Sequence, residues 1–120
     1  EEIIGALSIA DPIDQDALFH REFVRALFAR AVERLRQELE QRGRATAFAL
    51  FDRYDLSADD GTSYATLAVE LGIPVTRVTN QLHAARRRFR EIVLDELREL
   101  AGSEDEFRAD AAEILGLEIR

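Results

Sequence analysis

Apolar residues recur along this chain at steps of three and four and not in alternation, so the pattern predicts an all-α fold built from amphipathic helices. The longest stripe runs through Leu18, Phe19, Phe23, Leu27, Phe28, Ala31, Val32, Leu35 and Leu39. It marks one wide face of a long first helix. Asp14 or Asp16 is positioned to cap its start, and Gly43 to stop it. Residues 1–13 show no period and read as a linker or frayed end, leaving 14–62 as an N-terminal helical part. Within that part a second helix from about Arg44 to Tyr54 turns Phe48, Phe51 and Tyr54 inward. The stretch DLSADDGT from Asp55 to Thr62 then reads as a loop.

Residues 63–101 carry the sharpest pattern. Ser63 caps a short third helix whose inner face is Tyr64, Leu67, Ala68 and Leu71, and Gly72 ends it in the left-handed conformation. A fourth helix starts near Pro74, which is tolerated in a first turn because no N–H is needed there. Val75, Val78, Leu82, Ala85, Phe89, Val93 and Leu97 form its seam, which runs on to Leu100. A short helix, a tight turn and a long helix make the layout of a helix-turn-helix with an extended recognition helix. Past Gly102, Ser103-Glu104-Asp105-Glu106 matches a capping box. Residues 102–120 then form a C-terminal helical extension with Phe107, Ala111, Ile114 and Leu115 inward and Gly116 closing it.

Composition narrows the picture. A chain of 120 residues, 47% hydrophobic, suffices for one domain with its own core. With no cysteine, disulfides and thiolate metal sites are excluded. No apolar run approaches the roughly 20 residues that span a bilayer, and no signal peptide is visible. The expectation is a cytoplasmic protein with no membrane partner. The lack of methionine, even at position 1, leads us to expect a piece of a longer chain or a missing start.

The net charge of −8 opposes general affinity for nucleic acid. The charge is uneven, however. Between Ile73 and Arg90 lie Arg77, Arg86, Arg87, Arg88 and Arg90 without one acid. With the seam buried, Thr76, Arg77, Thr79, Asn80, His83, Ala84, Arg86 and Arg87 face outward. Asn reads adenine edges in paired hydrogen bonds, and Arg reads guanine or grips phosphate. The candidate DNA-binding set is therefore Thr76, Arg77, Thr79, Asn80 and His83 at base edges or nearby phosphates, with Arg86 and Arg87 on the backbone. The same pattern also fits a plain solvated face. Four arginines within two turns repel one another, and an anionic partner relieves them.

Other chemistry is thin. His83 has no second His or Cys at ligand spacing, and His20 sits on a different helix, so no metal site is expected. Asp52, Asp55, Asp59 and Asp60 cluster without a nucleophile or a Gly-rich phosphate loop and read as a solvated acidic loop. Neither an enzyme nor a cofactor is expected.

Tyr64-Ala65-x-Leu67-Ala68-x-x-Leu71-Gly72-Ile73-x-Val75-x-x-Val78, continued by Leu82-His83-x-Ala85-Arg86-Arg87-Arg88-Phe89-Arg90-Glu91, resembles region 4 of the bacterial sigma-70 family. The likeness is to its extracytoplasmic-function type, and the ending from His83 to Arg88 is its most telling part. The segment from Asp11-Pro12 through Leu39 and the last helix resemble the flanks of region 4 in some of these factors. The resemblance implies recognition of the promoter −35 element. It also implies docking on the β flap of the RNA polymerase core during transcription initiation, and an anti-sigma factor as a further partner. Pro74 departs from the family pattern where a capping Ser is usual. Thr79 and Ala84 depart where a basic residue is common, which implies lower affinity or altered base reading. Region 2, which melts promoters in that family, is not in this sequence. Two other readings stay open: a sigma-like module that binds an anti-sigma factor or polymerase, and a dimeric helix-turn-helix regulator.

Overall fold

The computed structural model describes residues 12–57 and 62–115, and every regular element among them is helical. In chain order these are α1 (Pro12–Gln41), α2 (Ala45–Phe51) running into a π-helical turn (Asp52–Leu56), α3 (Tyr64–Leu71), α4 (Val75–Leu100) and α5 (Glu104–Leu115). The all-α expectation holds. The helix expected over Arg44–Tyr54 is instead seven α-helical residues followed by the wider π turn.

Helix α4 organises the rest. Val78, Leu82, Ala85, Ile92, Val93 and Leu97 are buried along one side of it. That seam meets Leu27, Ala31, Leu35 and Leu39 of α1, Ala47, Leu50 and Phe51 of α2, Leu67 and Ala68 of α3, and Phe107 and Ala111 of α5 in a single core. Phe89 stands edge-on to Phe28, with ring centroids 5.7 Å apart, and tilts over Phe51 at 5.3 Å. Such pairs add about 1 kcal/mol each beyond their buried area.

Polar locks sit beside this core. Arg88 forks onto Glu38 of α1, donating from Nε at 2.5 Å and from Nη2 at 2.9 Å, while its Nη1 donates to Glu91. Glu96 is buried at 7% exposure on the inner side of α4. Arg34 donates to its Oε2 at 3.2 Å, and Arg30 lies 2.9 Å from Oε1. A carboxylate at that depth is costly unless cations compensate it, and two arginines of α1 do so.

The chain's stops match their residues. Gly43 (φ 72°) and Gly72 (φ 66°) both hold the left-handed conformation that ends a helix. After Gly72, Ile73 N–H returns to Ala68 O at 3.0 Å. Ser63 caps α3 by accepting from Thr66 N–H at 3.1 Å. Ser103 likewise accepts from Glu106 N–H, but the Glu106 carboxylate reaches past Ser103 to Gly102 N–H at 2.7 Å. Pro74 sits one residue before α4 in extended conformation, and its carbonyl accepts from Arg77 and Val78 N–H.

Several expectations are corrected. Helix α1 begins at Pro12, so Asp14 and Asp16 lie inside its first turns and not at its cap. Leu18 and Phe19 are 54% and 78% exposed, because the first half of this roughly 45 Å helix runs ahead of the core. There α5 comes alongside, with His20 3.3 Å from Glu113. Val75, Leu71 and Tyr54, expected inward, are exposed. Val75 opens α4 ahead of the packed seam, and the π turn shifts Tyr54 out of the 3.6-residue phase. Of the expected linker over 1–13, Pro12 and Ile13 already belong to α1, and Asp55 and Leu56 of the expected loop belong to the π turn, while residues 1–11, the loop positions 58–61 and the stop at Gly116 lie outside the described residues.

Two stability effects follow. Open space surrounds the point where a Cβ on Gly72 would stand, so Gly72→Ala costs only backbone strain. We expect a loss of about 1 kcal/mol in urea unfolding, and no loss would contradict the left-handed stop. The Glu38 carboxyl is held below its ordinary range, chiefly because Arg88 donates to it and against a smaller opposing effect of burial. A depressed carboxyl stabilises the fold above its unfolded pKa and loses that effect as pH falls through the folded one. Glu38→Gln should therefore be less stable than wild type by roughly 1 kcal/mol near neutral pH, with the gap closing on acidification below about pH 4. A gap that persists at acid pH would show that Arg88 is not its source.

Candidate nucleic-acid interface

Burying the α4 seam forces the opposite side of the helix into water. Thr76, Asn80, His83, Arg87 and Arg90 follow one another at steps of four and three, and all are exposed. They form one stripe about 21 Å long. Arg77 is exposed on one flank of it. Thr79 is half-buried on the other, its hydroxyl donating back to Val75 O at 3.2 Å. Ala84 is half-buried where α4 faces the junction of α1 and α2.

The arginines divide into two groups. Arg86 is half-buried and turned away from the stripe. It donates to both oxygens of Asp55, from Nε at 2.9 Å and Nη2 at 3.0 Å, and from Nη1 to Tyr64 Oη at 3.3 Å. Its guanidinium also lies 5.5 Å from the centre of the Tyr54 ring. Asp55 holds the Arg86 proton more tightly than usual, so the group stays cationic, with its charge spent inside the molecule. Arg88 is spent on Glu38 and Glu91 in the same way. The repulsion expected of the arginine run is thus largely relieved from within.

Arg21, Arg42, Arg44, Arg77, Arg87 and Arg90, by contrast, make no ion pair among the described residues, while their neighbours Arg25, Arg30, Arg34 and Arg36 all do. Five of those six lie on α4 or at the α1–α2 corner. Arg87 borders two hollows: one shared with His83, Arg86 and Arg90, the other shared with Arg42 and Arg44. The two corner arginines escape a reading of α4 alone. Their only sequence signal is an arginine on each side of the stop glycine.

Among the described residues no three His, Asp or Glu side chains gather as they would to hold a metal ion, and no helix is long and apolar enough to cross a membrane. No protein-family model matches the chain, nor does any curated protein or solved structure.

The Asp55–Arg86 fork ties the π turn to α4, and both side chains keep partial contact with water. A double-mutant cycle of Asp55→Ala and Arg86→Ala should return a coupling of roughly 0.5–1 kcal/mol in urea unfolding. A coupling indistinguishable from zero would mean that the fork does not form in solution.

Proposed function

We propose that α3, the turn at Gly72–Pro74 and α4 work as a helix-turn-helix, and that the chain is the DNA-binding region 4 of a sigma factor. In this reading it recognises a −35 promoter element and docks on the β flap of RNA polymerase. What supports it most is the sorting of arginines. On a chain of net charge −8, five of the six arginines without an ion pair among the described residues lie on α4 or at the α1–α2 corner beside it. Unpaired guanidinium groups along a helix suit phosphate, whose neutralisation drives most of the affinity for DNA. Thr76, Arg77, Asn80 and His83, in the first half of α4, are the side chains for base edges. Arg87 meets the backbone, joined by Arg90. Arg86 positions the helix by bracing it to Asp55, and Thr79 contributes its methyl group and not its hydroxyl.

A second reading, a sigma-like module that binds an anti-sigma factor or polymerase without DNA, draws on the apolar surface. Val69 is 82% exposed, and Leu71 and Val75, which flank the turn in sequence, are exposed as well.

Selection of duplexes from a random pool separates the two. The chain should enrich a short motif at low salt. Asn80→Ala should relax the preference at one or two positions of that motif, with a discrimination loss of about 1–3 kcal/mol. Arg87→Ala should weaken all sequences alike and lower the salt slope by about one. If the pool stays unenriched while a polymerase or anti-sigma partner is bound, the second reading replaces the first.

A further inference from the structure

We propose that Arg42 and Arg44, at the corner between α1 and α2, form a second phosphate-binding arm beside α4, so that one DNA strand runs across the hollow between corner and helix. This rests on the DNA-binding reading above and extends it to residues some 40 positions away in the chain.

The hollow has a volume of about 210 Å³ and is bordered by Arg42, Arg44, Gln81, Ala84 and Arg87. Its acids are Glu38 and Glu91, and both already accept from Arg88. Arg42, Arg44 and Arg87 share the rim without an ion pair among the described residues, and although Arg42 also attracts Glu38 through space, four guanidinium groups face two carboxylates there, which leaves the rim net cationic. A protein with 24 acidic residues could have paired them, since it pairs most of its other arginines. Ala84 puts only a methyl group on the helix at this height, which leaves room for a sugar-phosphate chain to come close.

Backbone geometry holds the arm in place. Gly43, in the left-handed conformation, turns the chain sharply between the two arginines. Arg42 N–H bonds to Glu38 O at 3.2 Å, Arg44 N–H to Leu39 O at 2.7 Å, and Arg44 O accepts from Ala47 N–H at 3.0 Å. The backbone that carries both arginines is fixed while their side chains reach into water, so gripping an anion orders side chains alone and not the chain.

Position on α4 completes the case. A helix of about 10–12 Å diameter fills a major groove about 12 Å wide, so the two strands pass along its two flanks. The Gln81, Ala84 and Arg88 flank faces the corner. On the opposite flank His83 and Arg90 line the other hollow beside Arg86 and Arg87. Each strand thereby meets its own arginines, with Arg87 between them.

The test measures binding of the 120-residue chain to mixed-sequence duplexes of about 20 base pairs, by fluorescence anisotropy between about 50 and 200 mM salt. Removing two phosphate contacts at a slope of about 0.9 each should lower the salt slope by roughly 1.8 for Arg42→Ala/Arg44→Ala, shrinking the affinity lost over that range about tenfold. The Arg42→Lys/Arg44→Lys variant should recover most of the slope, which separates loss of charge from loss of fold. Arg21→Ala/Arg25→Ala removes the same two charges from the far end of α1 and should change the slope little. Equal effects of the two alanine pairs would reduce the arm to net charge and overturn it. Binding that responds to Arg87→Ala but not to the corner pair would overturn the arm alone. A wild-type chain with no affinity for any duplex at low salt would overturn the DNA-binding reading and the arm with it.

Discussion

The apolar seam of α4 is the constraint on which everything else depends. Val78, Leu82, Ala85, Ile92, Val93 and Leu97 are buried against four other helices at once, and this fixes the rotation of α4 about its own axis. A helix free to roll would present no defined surface. With the seam locked, Thr76, Asn80, His83, Arg87 and Arg90 have only solvent in front of them. Truncating a fully buried Leu in such a seam typically costs about 2–5 kcal/mol, a large share of a small domain's stability. The exposed stripe is thus a product of the core, and its residues contribute little to folding themselves.

Electrostatics then select which arginines remain available. Arg86 and Arg88 differ from Arg87 by one position in sequence, yet they lie about 100° away from it around the helix and meet acids on other elements. Asp55 takes one and Glu38 takes the other, each through a two-pronged contact. Arg87 points between them and meets no acid among the described residues. A run of three arginines therefore does two jobs. Its outer members brace α4 against the π turn and α1, and its middle member stays free. The same logic operates on α1, where Arg30 and Arg34 neutralise buried Glu96 while Arg42, past the end of the helix, makes no ion pair among the described residues and only a through-space attraction to Glu38.

Much of this was legible in the sequence because it depends on neighbours a few residues apart. The helical period separated the α4 seam from its outer face. Ser63, Gly43, Gly72 and the Ser103–Glu106 box marked their helix ends from local chemistry alone. What stayed hidden depends on distant partners. Period says which face is buried and not what covers it, so it could not show that Leu18 and Phe19 extend past the core. Nor could it show that Arg86 is claimed by an acid 31 positions earlier, or Arg88 by one 50 positions earlier. The π turn after Phe51 broke the phase that was expected to carry Tyr54 inward. Arg42 and Arg44 carried no sign of a place beside α4, since only the folded corner brings them there.

Backbone amide shifts of the 120-residue chain, followed by NMR as mixed-sequence duplex is added at low salt, address the outward stripe most directly. The account predicts that the largest changes fall on Thr76, Asn80, His83 and Arg87, with the buried seam and α5 nearly still. Changes confined to Val69, Leu71 and Val75, or to Leu18 and Phe19, would contradict it, as would a spectrum that DNA leaves untouched.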